Sequence, residues 1–309
     1  MAGLDAIVVG QVARDLVLLV DDVPDASRTT PARCRRELLG GKGANQAVGL
    51  AQLGARVGLL GVVGLDEVGD RLLGRARSDG IDVAPVVRRE GTPSALIVDL
   101  VDAHGRWRYL EDIPEETLLT EADVDGAEDV VRAARAVLVQ LQQPLPAALA
   151  AARCARAADR LVLLDGAPHD PDAAELLALA DVLRADAREA GLIVGDPPRD
   201  PAAGLRAGRE LLGRGPSLVA VEVAGEGNAF VWPDGELFVP LSQTPTVDTT
   251  GAGDAFVAAL TVGLLRGDPH ERTARYAVAA AGATVGHPGG RPALSAAAIE
   301  EQLARIPAS

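Results

Sequence analysis

Four consecutive residues near the C-terminal end of this chain could do chemistry together. Gly251, Ala252, Gly253 and Asp254 lie in the string VDTTGAGDAFVAAL at residues 247–260. The two glycines let the backbone turn where a side chain would forbid it. An apolar run at helical spacing follows. The amides of residues 251–254 should therefore point out of a helix N-terminus, which carries unpaired donors and partial positive charge and holds anions. Asp254 in that turn admits two readings. It caps the helix, as Asp often does, or it is a general base beside a transferring phosphoryl group.

A second string with chemical potential is LLGGKGANQAVGLAQLGA at residues 38–55. Gly40, Gly41 and Gly43 make a bare approach, and Asn45 is expected to open a helix with Ala47, Leu50, Ala51 and Leu53 on its apolar face. The spacing is not that of a P-loop. So bare a backbone suits close approach of a small polar ligand, with Lys42 and Asn45 as donors. Asp15 follows the first apolar run, residues 6–9, at the strand end where open α/β sheets bind ligands. Arg14 beside it is a long cation that could pair with Asp15, close the pocket or meet an anionic substrate.

The elements that must hold these residues follow from patterning. From about residue 122 onward, helical and strand patterns alternate, as in a parallel sheet with crossover helices. Residues 12–39 and 86–111 read instead as strands and a hairpin off the main sheet, a candidate lid. No internal repeat or long linker divides the chain, so one α/β domain over 1–309 is expected.

Composition narrows the partners. Hydrophobic residues make up 48% of the 309, enough for a sizeable core, while aromatics at 2% give no stacking platform for single-stranded nucleic acid. A net charge of −14 opposes nucleic-acid and anionic-membrane surfaces. It does not oppose a phosphate, because local donors and a metal act at short range. No window reaches the ~18 apolar residues of a membrane span. Cys34 and Cys154 read as free thiols and the N-terminal run as a first strand rather than a signal peptide, so a cytoplasmic location is expected. His104, His169, His270 and His287 are scattered and form no metal pattern.

Together the two strings resemble the paired signatures of the ribokinase-like (PfkB) sugar kinase family. The likeness extends to GLDEVG at 64–69, QLQQPL at 140–145 and the order of strands and helices. It implies the ribokinase-like fold, a mostly parallel central sheet flanked by helices with a small β-sheet lid. It also implies transfer of the γ-phosphoryl group of ATP to a sugar hydroxyl, with Mg2+ and possible K+ activation, and a homodimer formed through the lid. By that resemblance Asp254 is the catalytic base and Gly251, Ala252 and Gly253 form the anion hole. Ala13, Asp15, Gly41, Lys42, Gly43, Asn45 and Gln142 fall at the sugar. Asp186, Glu222, Gly225, Gly227, Gly253 and Val278 fall at the nucleotide. Glu189 governs Mg2+ through water, and Asp248, Thr250, Thr284, His287 and Gly289 would line a monovalent-cation site.

Several positions depart from the family pattern. Ala13 stands for Asn and Gln142 for Glu, both sugar contacts, which puts ribose itself in doubt. Asp186 stands for Asn, Glu222 for Thr, Ala224 for Gly and Ala293 for Ser. A nucleoside or sugar-acid kinase of the same family, or a catalytically weak binding protein of the same fold, are therefore kept beside the sugar kinase. A dinucleotide-binding oxidoreductase is set aside, because VVGQVARD after the first strand lacks G-x-G-x-x-G.

Overall fold

The computed structural model describes residues 3–104, 106–168, 173–246, 249–286, 291 and 293–307. Its central sheet has eight strands: β1 (Ala6–Val9), β4 (Val57–Leu60), β9 (Ala136–Gln140), β10 (Leu161–Asp165), β11 (Val182–Ala185), β12 (Leu218–Val223), β13 (Gly227–Trp232) and β14 (Gly235–Pro240). Their spatial order is β14-β13-β12-β11-β10-β9-β1-β4. Pairing is parallel from β4 to β12, and β12, β13 and β14 run antiparallel at one edge.

The strands are continuously apolar because helices cover both faces. Within β1, Ala6 and Val8 join one buried cluster, and Ile7 and Val9 join the other. The first cluster includes residues of α1 (Lys42–Gln52), α2 (Glu67–Ser78), α9 (Ala252–Arg266), α10 (His270–Val285) and α11 (Ala296–Leu303). The second packs α3 (Glu121–Asp125), α4 (Glu128–Ala133), α5 (Leu145–Ala157), α6 (Ala174–Leu179) and α7 (Ala187–Val194) on the opposite face. Helix α8 (Pro201–Leu212) lies against β12 and β13. Alanine dominates α5, α9 and α10, which lets helices and sheet approach closely.

A second sheet of four strands stands apart, in the order β3-β2-β7-β8. It comprises β2 (Ala13–Val20), β3 (Ala32–Gly40), β7 (Leu96–Val101) and β8 (Trp107–Asp112). This is the lid expected from the pattern, with one boundary moved. Residues 87–89 form β6 (Val87–Arg89), which pairs with β5 (Val62–Gly64) in a two-stranded ribbon, so the lid's second segment begins at Leu96. The apolar run 57–63 divides into two strands, β4 and β5, with Gly61 between them. Helix α1 also starts earlier than the pattern suggests, at Lys42 rather than Asn45, with Gly41 at φ 85 as its N-cap.

The first turn of α1 presses directly on the chain leaving β1. A Cβ on Gly43 would lie 2.5 Å from the Gly10 carbonyl carbon, with backbone on both sides. Gly74, by contrast, faces open space in mid-α2. We therefore expect opposite signs from two chemically identical changes. Gly43→Ala should lower stability by ~1–3 kcal/mol through overpacking. Gly74→Ala should raise it by ~0.5–1 kcal/mol through helix propensity. Thermal melts of the two variants decide the matter, and equal shifts would refute the close-packing account.

Candidate active site

The functional side chains gather where the parallel strands end. From β1 the chain runs through Gly10 into Gln11 and the lid. From β10 comes Asp165, from β11 Arg184, and from β12 Glu222. Helices α1, α7 and α9 deliver Lys42, Asn45, Gln46, Glu189 and Asp254 to the same edge. This is the crevice that open α/β sheets offer to ligands.

The turn before α9 settles how Asp254 is used locally. Gly251 is the N-cap at φ 74, in the left-handed region, and no side chain caps the helix. Asp254 is the third residue of α9 and its carboxylate turns away from the helix end. Oδ1 accepts from Gln46 Nε2 at 3.3 Å, and Asn45 also donates to this carboxylate. The N-cap reading therefore falls. Asp254 is only 6% exposed. Burial, with Asp165 nearby, pushes its carboxyl up to about 7 against the pull of Lys42, Asn45 and Gln46.

A charge network runs beneath this turn. Gln46, fully buried, donates its other Nε2 bond to Asp165 Oδ2 at 2.8 Å. Asp165 Oδ1 accepts from Arg184 Nη1 at 3.2 Å. Arg184 Nη2 reaches Glu222 Oε2 at 3.4 Å, and Nη1 lies 3.9 Å from Glu189 Oε2. The guanidinium packs directly under the turn that opens α9: a methyl on Gly253 would sit 3.1 Å from Nη2. Burial works against the Arg184 charge, but Asp165, Glu189 and Glu222 more than offset it and the group stays a cation. Lys42 Nζ donates to Glu189 Oε1 at 3.2 Å. Burial alone would raise Glu189, yet Lys42 and Arg184 hold it below the usual carboxylate value. Burial pushes Glu222 up, since it also faces Asp186 and Glu189.

Two cavities meet along Lys42 and Gln142. One, of about 170 Å³, lies under the lid and is lined in part by Asp15, Gly41, Asn45, Gln142, Gly251 and Asp254. The other, of about 190 Å³, is lined in part by Gln140, Gly166, Asp186, Arg188 and Glu189. The lid is drawn onto the body by Tyr109, whose hydroxyl lies 2.6 Å from Thr250 Oγ1. Asp15 accepts from the Gly41 backbone amide, and burial together with Asp99 pushes its carboxyl up to about 7.

Most residues anticipated from sequence converge here, and a few do not do what was expected. Ala13 is fully buried and touches Gly41 rather than opening to the cavity. Gly43 serves helix–strand contact. Asp186 caps α7 in a capping box with Glu189, at 2.7 and 2.8 Å, although it borders the second cavity. Val278 is 1% exposed inside the packing of the α9 side, too deep to line an open nucleotide surface. Gly225 and Gly227 shape the β12–β13 turn, both at positive φ. Arg14 pairs with Glu37 at 2.8 Å on the outer face of the lid, so it offers nothing to an anionic substrate. Thr250 pairs with Tyr109, and the Thr284 hydroxyl donates to the Ala280 carbonyl at 3.1 Å. Asp248, His287 and Gly289 lie outside the described residues. Sequence reasoning missed Gln46, Asp99, Tyr109, Glu111, Asp165 and Arg184. Only Asp165 carried a signal, as an acid ending a buried strand.

The whole-chain comparisons agree with this geometry. The model of the pfkB family carbohydrate kinases matches residues 4–297, so the chain belongs to that family. It is a sugar kinase that transfers phosphate to a hydroxyl. An ATP-dependent ribose-1-phosphate kinase of Halopiger xanaduensis is 33% identical over 292 residues, 94% of this chain and 95% of the relative. A bifunctional ribokinase/ribose-5-phosphate isomerase A of Fructilactobacillus sanfranciscensis is 29% identical over 255 residues; these are 82% of this chain but only 47% of that longer protein. Among solved structures, Arabidopsis thaliana ribokinase complexed with ribose and ATP superposes with a TM-score of 0.82 at 26% identity, over 97% of this chain and 99% of that one. Among the described residues, no helix is long and apolar enough to cross a membrane.

The raised Asp254 carboxyl has a consequence for stability. Its ordinary value is 3.8 and its folded value is about 7. Between these the folded protein holds a proton the unfolded chain has lost, so stability falls as pH rises through that window. Asp254→Asn carries no such cost. We expect the variant to melt above the parent at pH 8, with the gap closing as pH falls towards 4. A gap independent of pH would show that Asp254 is not held at this raised value.

Proposed function

We propose that the protein is an ATP-dependent kinase of a small sugar, with Asp254 as the general base. One observation carries this: a buried carboxylate in the first turn of α9, freed from capping, faces the same cavity as Asp15 and Asn45 at a helix N-terminus that no side chain caps. The sugar hydroxyl gives its proton to Asp254 as its oxygen bonds to the γ-phosphorus. The bond between that phosphorus and the bridging oxygen breaks, and ADP leaves with the electron pair. The amides of residues 252–254 meet the charge that develops on the phosphoryl oxygens. Lys42 spans the two cavities and Arg184 lies below the turn, so both add positive potential where phosphates would sit.

A resident Mg2+ fits this site if phosphates and waters supply most of its ligands. Among the described residues no cluster of three side chains could cage a metal. Glu189 and Asp186 border the phosphate-side cavity, with both oxygens of Glu189 and Oδ1 of Asp186 already bonded, so they would act through water. The Gln140 amide there is buried and neither of its polar atoms has a partner, which suits a hydrated ligand. The metal would neutralise phosphate charge. A monovalent cation near Thr250 and Thr284 stays part of this reading, and assays with and without potassium report on it.

The lid's outer face suggests a second copy of the chain. Register places Leu16, Leu18, Val98, Leu100 and Leu110 on the face away from the cavity, and Leu110 is 62% exposed. A patch of this kind marks an association surface, and the reading is a homodimer.

Two measurements test these roles. With ATP, Mg2+ and a panel of pentoses, hexoses, sugar acids and nucleosides, Asp254→Asn should lose ~10²–10⁴-fold in kcat, the usual span for a general base. The parent's kcat/KM should rise with pH through about 7, because the base must be ionised. A variant that keeps parental turnover would overturn the assignment, and sugar binding with no turnover in the parent would favour the binding-protein reading. For assembly, sedimentation should show a dimer for the parent and a monomer for Leu18→Glu/Leu100→Glu. A parent that is already monomeric would remove the lid interface.

A further inference from the structure

The cavity under the lid is unusual in its charge. The inner face of the lid sheet is set by register. Asp15 pairs with Ile97, and Ile97 with Glu111; in the next row Val17 pairs with Asp99, and Asp99 with Tyr109. Paired residues share a face, so Asp15, Asp99, Glu111 and the Tyr109 ring all look down on the cavity, and all line it. With Asp254 on the floor, four carboxylates border about 170 Å³. Among the described residues, the one cationic side chain on that lining is Lys42, and its ammonium is engaged by Glu189. Arg14, one residue from Asp15, is turned to the outer face.

The polar atoms still wanting partners are of one kind. Asn45 is 95% buried; its amide serves Asp254 and its Oδ1 has no partner. Asp15 Oδ1 is likewise buried without one. Both are acceptors. A sugar hydroxyl can donate to one carboxylate, but it brings no charge to offset four of them. An ammonium brings three donors, a full positive charge and no lone pair. Tyr109 adds an aromatic face of the sort cations favour. Asp99 and Asp254 are buried, Asp15 is half-buried and Glu111 stands at the exposed rim, so like charges crowd the inner part of the cavity, which is costly until a cation arrives. Burial, with Asp99 beside it, raises the Asp15 carboxyl for the same reason.

From this juxtaposition we propose that the substrate is a cationic sugar: an amino sugar or amino-polyol whose ammonium binds between Asp15, Asp99 and Glu111 against Tyr109, leaving a hydroxyl at Asp254. The inference rests on the sugar-kinase reading of this cavity and names its substrate class. It runs against phosphorylated or carboxylated sugars, which would add negative charge to an acidic lining.

The test uses matched compounds. Calorimetry without ATP compares glucosamine, glucose and N-acetylglucosamine, and 1-amino-1-deoxyfructose, fructose and its N-acetyl derivative. Steady-state kinetics with ATP and Mg2+ follows on the same set. We expect the amine of at least one trio to bind at least tenfold tighter than both neutral members. Asp99→Asn and Glu111→Gln should each cut that ratio at least fivefold; a ratio is read because a merely loosened fold weakens all three ligands together. If the neutral or acetylated sugar is preferred in every trio, if no amine binds, or if both variants keep the ratio, the proposal is overturned. Phosphate transfer to a neutral sugar without amine preference refutes this inference and leaves the kinase reading standing. Selective amine binding without transfer does the reverse.

Discussion

The contact on which the site depends is the buried guanidinium of Arg184 against Asp165. Asp165, Glu189, Glu222 and Asp254 converge on one crevice, and carboxylates placed so close repel unless a cation lies among them. Arg184 is that cation. It ties Asp165 to Glu222, approaches Glu189, and presses on the backbone at Gly253. Gln46 then carries the link from Asp165 to Asp254. The Asp254 carboxylate is thus held by a chain of bonds that begins in the centre of the sheet. Removing one member of a buried pair is far more costly than the pair is worth, since the remaining charge is stranded. That asymmetry holds the arrangement together more firmly than any single bond.

The fold was legible in the sequence, because apolar strands and Ala-rich helices alternate too regularly to be read otherwise. The strand order could be inferred only by resemblance. Boundaries slipped at glycines: Gly61 lies between β4 and β5, and Gly41 caps α1, which starts three residues early. That Lys42, Asn45, Gly251 and Asp254 would meet at one cavity was legible only through the resemblance of the two glycine-bearing strings, which lie some 200 residues apart. The network beneath was not. Arg184 sits inside a short strand and nothing in VLRAD marks its partners, which come from strands about 20 and 40 residues away. The lid's acids were hidden for a related reason. Asp99 and Glu111 look like ordinary solvent-facing positions of a hairpin until pairing fixes which face each one takes.

Lid and base are also one mechanical unit. Tyr109 reaches from β8 to Thr250 in the turn that opens α9, so the strand that carries Glu111 is fastened to the loop before Asp254. In the proposed reading, a closing lid would bring acids towards the substrate and exclude water in the same movement. Excluding water raises Asp254, which makes it a stronger base once ionised but harder to ionise. The balance is set by what enters: a cation under the lid eases ionisation of every carboxylate around it, Asp254 included. Substrate charge, lid closure and base strength are then a single equilibrium. A ligand that fills the cavity without the charge would close the lid over a base still holding its proton.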